Sequence, residues 1–152
     1  MDLMKYDYVL VLDPSGSFHE GKGTTGWSIY NCIDKKIIHG CSISAKDYTK
    51  MEAYWDAHLN LIKEYTGKYM NKLIVVIEDY QLYASAAMGQ INSHMETCKL
   101  IGVLQHYCWE HNIPYIMQKP SDVKTRWSNE ILTHKHIVIY KDKKYLIPIN
   151  KR

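Results

Sequence analysis

Apolar residues along the chain follow two rhythms. Two continuous runs, "YVLVLD" at residues 8–13 and "LIVVIE" at 73–78, read as strands covered on both faces, because such strands lose the alternation of a half-solvated one. Each run ends in an acid, Asp13 or Glu78. The glycines of "GSFHEGKGTTGW" mark a loop into a second strand over Trp27 to Tyr30, and "KKIIHGCSIS" supplies a third. Short connections make these three an antiparallel meander. Between Asp47 and Tyr69, Met51, Tyr54, Trp55, His58, Leu59, Ile62 and Tyr65 recur near helical spacing, so a long amphipathic helix precedes the 73–78 strand. A strand reached through a helix is expected to be parallel to the first.

Downstream, a second long helix is expected over Met88 to His111, with Gly102 inside it. A glycine there costs about 1 kcal/mol against alanine, so it is either tolerated or marks the close approach of another backbone, as in a dimer. "IPYIMQ" reads as a fifth strand, "SDVKTRWSNEIL" as a helix capped by Ser121, and "IVIYKDKKYLIPI" as a hairpin with a lysine-rich turn.

A length of 152 residues fits a single domain with one core. No apolar stretch approaches the roughly 20 residues needed to span a bilayer. The opening "MDLMKYDYVLVL" lacks a secretion signal, so a cytoplasmic protein is expected. The four cysteines, Cys32, Cys41, Cys98 and Cys108, lack the close pairing of zinc or redox motifs and are expected as free thiols. The net charge of +3 conceals an asymmetry: residues 135–152 carry six Lys/Arg against one acid. Such a tail suits a polyanion or is a solvated end. Of the eight histidines, none stands in the His-Glu-x-x-His spacing that marks a zincin helix, and surface or lightly buried roles are expected.

The chemistry lies in the two terminal acids. On adjacent parallel strands their carboxylates emerge at one sheet edge, where they are stable together only with a shared proton or an intervening cation. Oxygen ligands favour Mg²⁺, with Mn²⁺ as a substitute, and such an ion serves phosphoryl transfer. Asp79 should face away from Glu78 by strand alternation. The plainer reading has Asp13 opening a turn with Pro14 and Glu78 merely ending its strand. Taken together, the acids and the element order point to an α/β, RNase H-like fold: a five-stranded mixed sheet, three strands antiparallel and the rest parallel, flanked by helices.

The blocks "VLDPSG", "GTTGW", "VVIEDYQLY", "GQINSHMETCKLIG" and "QKPSDVKTRW" resemble those of phage-type RuvC-family Holliday-junction resolvases, from about residue 6 to residue 133. The resemblance implies that Asp13 and Glu78 bind catalytic divalent metal and that Tyr80, Gln81 and Tyr83 lie on a loop reaching into the junction. It also implies that Lys124 steadies phosphate charge, with Lys119 and Arg126 near it for backbone phosphates. A homodimer through the second long helix follows, with Cys98 and Gly102 at the interface, as do branched DNA as partner and the host cytoplasm as location. The family closes its metal site with acids opening a C-terminal helix, in a pattern like Asp-Ala-x-Arg-His. This sequence has no such element before "LIPINKR", leaving Asp122 and Asp142 as downstream acids. Two alternatives stand beside the resolvase: a junction-binding protein with little or no cleavage, and a nucleotide-binding fold like that of actin and sugar kinases, whose phosphate loops "DPSG" and "GTTGW" also resemble.

Overall fold

The computed structural model describes residues 5–82, 94–122, 137–140 and 143–146. The chain forms two compact units, Met1–Gln118 and Lys119–Arg152. The first contains β1 (Tyr8–Asp13), β2 (Thr24–Asn31), β3 (Lys36–Ser44), α1 (Met51–Tyr69), β4 (Leu73–Glu78), α2 (Glu96–Glu110) and β5 (Tyr115–Gln118). The second contains an antiparallel pair, β6 (Ile137–Tyr140) and β7 (Lys143–Leu146), which is the expected hairpin. The helix expected from Ser121 onward lies, beyond residue 122, outside the described residues. Among the described residues no helix is long and apolar enough to cross a membrane.

The five strands of the first unit form one sheet in the order β3-β2-β1-β4-β5. β1, β2 and β3 are the antiparallel meander, and β4 joins β1 in parallel with Leu10 opposite Val75. β5 extends the parallel side, Val75 facing Tyr115. α1 and α2 carry the chain back between the parallel strands. Both pack on one face of the sheet, where Leu10, Leu12, Ile29, Leu73, Val75 and Ile77 meet Tyr54, Leu61, Ile62 and Tyr65 of α1 and Leu100, Leu104 and Cys108 of α2. Each such side chain contributes about 1.5 to 3 kcal/mol by leaving water. All four cysteines are free. Burial pushes the Cys108 thiol up to about 11, so it behaves as a small apolar residue.

Two element boundaries differ from expectation. β2 extends beyond Trp27–Tyr30 at both ends, because Thr24 and Thr25 still pair with Ser44 and Ile43 of β3. The helix expected from Met88 is described from Glu96, where Met95 adopts a left-handed conformation (φ 49°) that α-helix cannot accommodate, while residues 88–93 of that expectation lie outside the described residues. A third feature fixes that start. A β-carbon on Gly16, in the loop after β1, would overlap the Glu96 carbonyl, so this glycine lets the loop lie directly against the first turn of α2.

Gly102 contrasts with Gly16. It is exposed, and a β-carbon there would meet nothing within 4 Å. Gly16→Ala should therefore lower unfolding stability by about 1 to 3 kcal/mol through overpacking. Gly102→Ala should raise the stability of the isolated chain by roughly 0.5 to 1 kcal/mol through helix propensity. Urea denaturation of the two variants beside the parent checks both signs.

Candidate active site

The β1–β4 ladder runs from Tyr8 opposite Leu73 to Leu12 opposite Ile77, so the next position across the two strands is Asp13 beside Glu78. Both are the last residues of strands running in the same direction. Neighbouring strands lie about 4.8 Å apart, which puts the two carboxylates within reach of one small ion. Asp13 is exposed and Glu78 half-buried. By alternation both belong to the face opposite the helices, in line with Val9 and Val11 and with Ile74 and Val76. Asp13 is flanked on its other side by Gly26, and Glu78 by Gln118. The row Gly26, Asp13, Glu78, Gln118 thus has an open place next to Asp13, since Gly26 brings no side chain.

Asp79 lies beyond the strand and turns the other way, as alternation requires. Its Oδ1 accepts the Tyr80 N–H at 2.8 Å, and its own N–H donates to the Gln118 carbonyl at 2.8 Å. It faces the first turn of α2, where burial, and then the Asp79 charge, push the Cys98 thiol up.

The chain leaving Asp13 is held by a buried polar network. The Ser15 N–H donates to Thr25 Oγ1 (3.1 Å), and the Tyr54 hydroxyl donates to the Ser15 carbonyl (2.6 Å). His58, fully buried on α1, has Nδ1 at 2.7 Å from the Tyr54 carbonyl and Nε2 at 2.7 Å from Thr25 Oγ1. A carbonyl only accepts, so Nδ1 carries the proton, Nε2 accepts, and the Thr25 hydroxyl is the donor between them. Burial lowers the His58 pKa and keeps the ring neutral, which this arrangement needs. Burial likewise raises the Tyr54 pKa.

On the other side the same loop is tied to α2. The Gly16 N–H donates to Thr97 Oγ1 (3.0 Å) and the His19 N–H to Glu96 Oε2 (3.2 Å). The His19 ring binds the Glu96 carboxylate through Nδ1 and stacks on His94, with ring centroids 5.0 Å apart.

Known proteins match this arrangement of strands. T. thermophilus RuvC, solved in complex with a Holliday junction substrate, superposes with a TM-score of 0.61 at 13% identity, covering 83% of this chain and 73% of that one. The fold is RNase H-like. The LC11 RNase H1 isolated from compost by a metagenomic approach also matches, with a TM-score of 0.36 at 12% identity, over 76% of this chain and 86% of that one. No family model matches the sequence, and no curated protein does.

Within this RNase H-like sheet, Asp13 and Glu78 come together as the strand pattern implies. Tyr80 is half-buried and Gln81 exposed at the start of the loop leaving β4. Tyr83, Lys124, Arg126 and Asp142 lie outside the described residues. Lys119 and Asp122 belong to the second unit, where the Asp122 N–H donates to the Lys119 carbonyl at 3.0 Å. Cys98 is half-buried, while Gly102 lines a cleft of about 480 Å³ between α1 and α2 with Trp55 and Val103. Among the described residues no three His, Cys, Asp or Glu side chains converge as a metal cluster. The carboxylate pair still suits a hard cation that keeps several waters, because Mg²⁺ is commonly held by one or two carboxylates.

Thr25, Tyr54, His58, His19 and Glu96 are the residues that sequence reasoning missed. His58 stands in the apolar pattern of α1 and Thr25 in "GTTGW", but their hydrogen bonding is not visible in either pattern. His19 and Glu96 are 77 residues apart, with no local signal to join them.

Thr25→Val keeps the shape of the side chain and removes its hydroxyl, orphaning the Ser15 N–H and His58 Nε2. It should cost about 2 to 4 kcal/mol, while Thr25→Ser stays within about 1 kcal/mol of the parent, as measured by chemical denaturation.

His58 also sets a pH dependence. Its folded pKa lies below the unfolded value of about 6.5, so its contribution is complete above that pH and is lost as pH falls toward the folded value. Melting temperature should fall from pH 7.5 to pH 5. His58→Gln, though less stable at neutral pH, should show a shallower decline.

Proposed function

We propose that this chain is a metal-dependent, structure-selective endonuclease that binds and resolves Holliday junctions and other branched DNA by paired phosphodiester hydrolysis. The observation that carries the reading is the parallel register that sets Asp13 beside Glu78 at one edge of an RNase H-like sheet. The likeness to RuvC bound to a Holliday junction supports the choice of substrate. In this reading the whole chain acts as one nuclease domain.

Asp13 and Glu78 would hold Mg²⁺, or Mn²⁺ in its place, which when bound supplies charge to activate water and to stabilise the leaving oxygen. The chain's own groups do the rest. Tyr80, Gln81 and Tyr83 enter the branch point, where an aromatic ring stacks on an unpaired base for about 1 to 3 kcal/mol. Lys124 balances charge developing on the phosphate, and Lys119 and Arg126 bind the DNA backbone. Two copies pair through α2, with Cys98 and Gly102 in the contact, so that a two-fold dimer presents two sites to a two-fold junction.

A second reading, a junction-binding protein with weak or no cleavage, draws on the absence of a third metal-ligating side chain beside the pair among the described residues. Asp122 and Asp142 are the acids available to complete the set.

One experiment separates the two. A synthetic four-way junction incubated with the protein and Mg²⁺ should give symmetrically paired nicks. Asp13→Asn should reduce cutting by at least about 100-fold while junction affinity stays within a few-fold, read by gel shift. A shifted band with no nicks from the parent protein would leave the binding reading standing and remove the nuclease.

A further inference from the structure

Buried polar side chains are few in the first unit: among the described residues they are Thr25, Asn31, His58 and Glu96. Thr25 and His58 both belong to the network that meets Ser15, together with the hydroxyl of Tyr54, which is also fully buried. Burying a histidine and two hydroxyls costs stability unless every group is bonded, so their place in the fold calls for a reason. That place is two residues past Asp13, where β1 gives way to loop.

Asp13 depends on its backbone for its orientation. Its side chain is exposed. The ladder to β4 ends one residue earlier, at Leu12 opposite Ile77, and its partner on β2 is Gly26, which offers no side chain to pack against. The direction of the Asp13 Cα–Cβ bond is therefore set by the chain before and after it. Before it stands Leu12, fully buried. After it stands Pro14, buried, with φ held at about −65° by its ring. Ser15 follows and is bonded at both ends, its N–H to Thr25 Oγ1 at 3.1 Å and its carbonyl to the Tyr54 hydroxyl at 2.6 Å. Thr25 immediately precedes Gly26, so one residue ties the loop leaving Asp13 to the strand position beside Asp13.

His58 gives the tie its direction. A threonine hydroxyl has one proton and two lone pairs. His58 Nε2, 2.7 Å away, takes the proton, which leaves a lone pair for the Ser15 N–H. The ring is held in turn by the Tyr54 carbonyl, 2.7 Å from Nδ1, one turn back on α1. A single turn of helix thus supplies both the donor to the Ser15 carbonyl and the acceptor that orients Thr25.

We propose that Thr25, Tyr54 and His58 are positioning residues for the ion, setting the divalent-metal affinity of Asp13 through the Ser15 backbone without touching the metal. The inference rests on the reading above that Asp13 and Glu78 hold that ion. Partners that orient metal ligands commonly contribute roughly 10- to 100-fold to affinity, and the link here runs through two residues of backbone, so the lower end is expected.

The test measures Mn²⁺ binding with no DNA present, from the EPR signal of the free ion, at a temperature where circular dichroism shows every variant folded. Thr25→Val and Tyr54→Phe should each weaken Mn²⁺ binding by roughly 10-fold, while Thr25→Ser, which keeps the hydroxyl, should bind within about twofold of the parent. Leu104→Ala opens a cavity in the core on α2 and is the control for lost stability alone; its Mn²⁺ affinity should match the parent's. Asp13→Asn should remove the binding. Parent-like affinity in Thr25→Val and Tyr54→Phe, an equal loss in Leu104→Ala, or failure of Thr25→Ser to keep the affinity would each overturn the positioning role and leave Asp13 a metal ligand. A parent protein that binds no Mn²⁺, or an Asp13→Asn variant that binds it as the parent does, would overturn the metal reading of the carboxylate pair, and this inference with it.

Discussion

The parallel pairing of β1 with β4 is the constraint on which the rest depends. Strand pairing admits whole-residue shifts only, and a slip of one residue would turn either acid to the helix face. What forbids the slip is the apolar set on that face: Leu10 and Leu12 of β1, Leu73, Val75 and Ile77 of β4, all essentially removed from water. For β1, a slip would move Leu10 and Leu12 to the face where Val9 and Val11 are only half-buried, losing part of the roughly 1.5 to 3 kcal/mol that each contributes. The positions of Asp13 and Glu78 are thus fixed by residues that take no part in their chemistry. Carboxylates held this way cannot drift apart to relieve their repulsion, and that rigidity makes a cation between them favourable.

The loop after β1 extends the same logic into an irregular segment. Such a segment is ordered only if its backbone groups find partners, and here Ser15 is satisfied on both sides, its N–H by Thr25 and its carbonyl by Tyr54. The price is a fully buried histidine, tolerated because both ring nitrogens are bonded and the proton stays on one of them. Gly16 and Gly23 serve the loop by lacking side chains, the first against α2 and the second against the Ser15 carbonyl. One stretch of ten residues is thereby anchored to β2, to α1 and to α2, each through a different chemical group.

The strands, α1 and the parallel crossover were legible in the sequence because their signal is local: an unbroken apolar run, or a 3.6-residue recurrence, reports burial directly. The two acids were legible for the same reason, since each closes such a run. The start of α2 was not. It depends on the left-handed backbone at Met95 and on the contact with Gly16, and neither leaves a trace in apolar periodicity. The histidines failed for a related reason. Their roles are set by partners far along the chain, His58 by Thr25 and His19 by Glu96, and a short polar side chain looks the same in a sequence whether its partner is a residue or water. The dimer contact expected at Gly102 involves a second copy, so a single chain carries no record of it.

The open place beside Asp13 gives these arrangements a direction. Of the two strands flanking the acid pair, β2 contributes Gly26 at the matching position and β5 contributes Gln118. A phosphodiester is an anion about as wide as the spacing of two strands, and an acid row without a gap would repel it and block it sterically. The glycine clears that approach on the side of Asp13. In the proposed nuclease, a backbone phosphate would enter there and meet the carboxylate pair from the face opposite the helices. The groups proposed to hold the ion owe their fixed spacing to the strands that carry them.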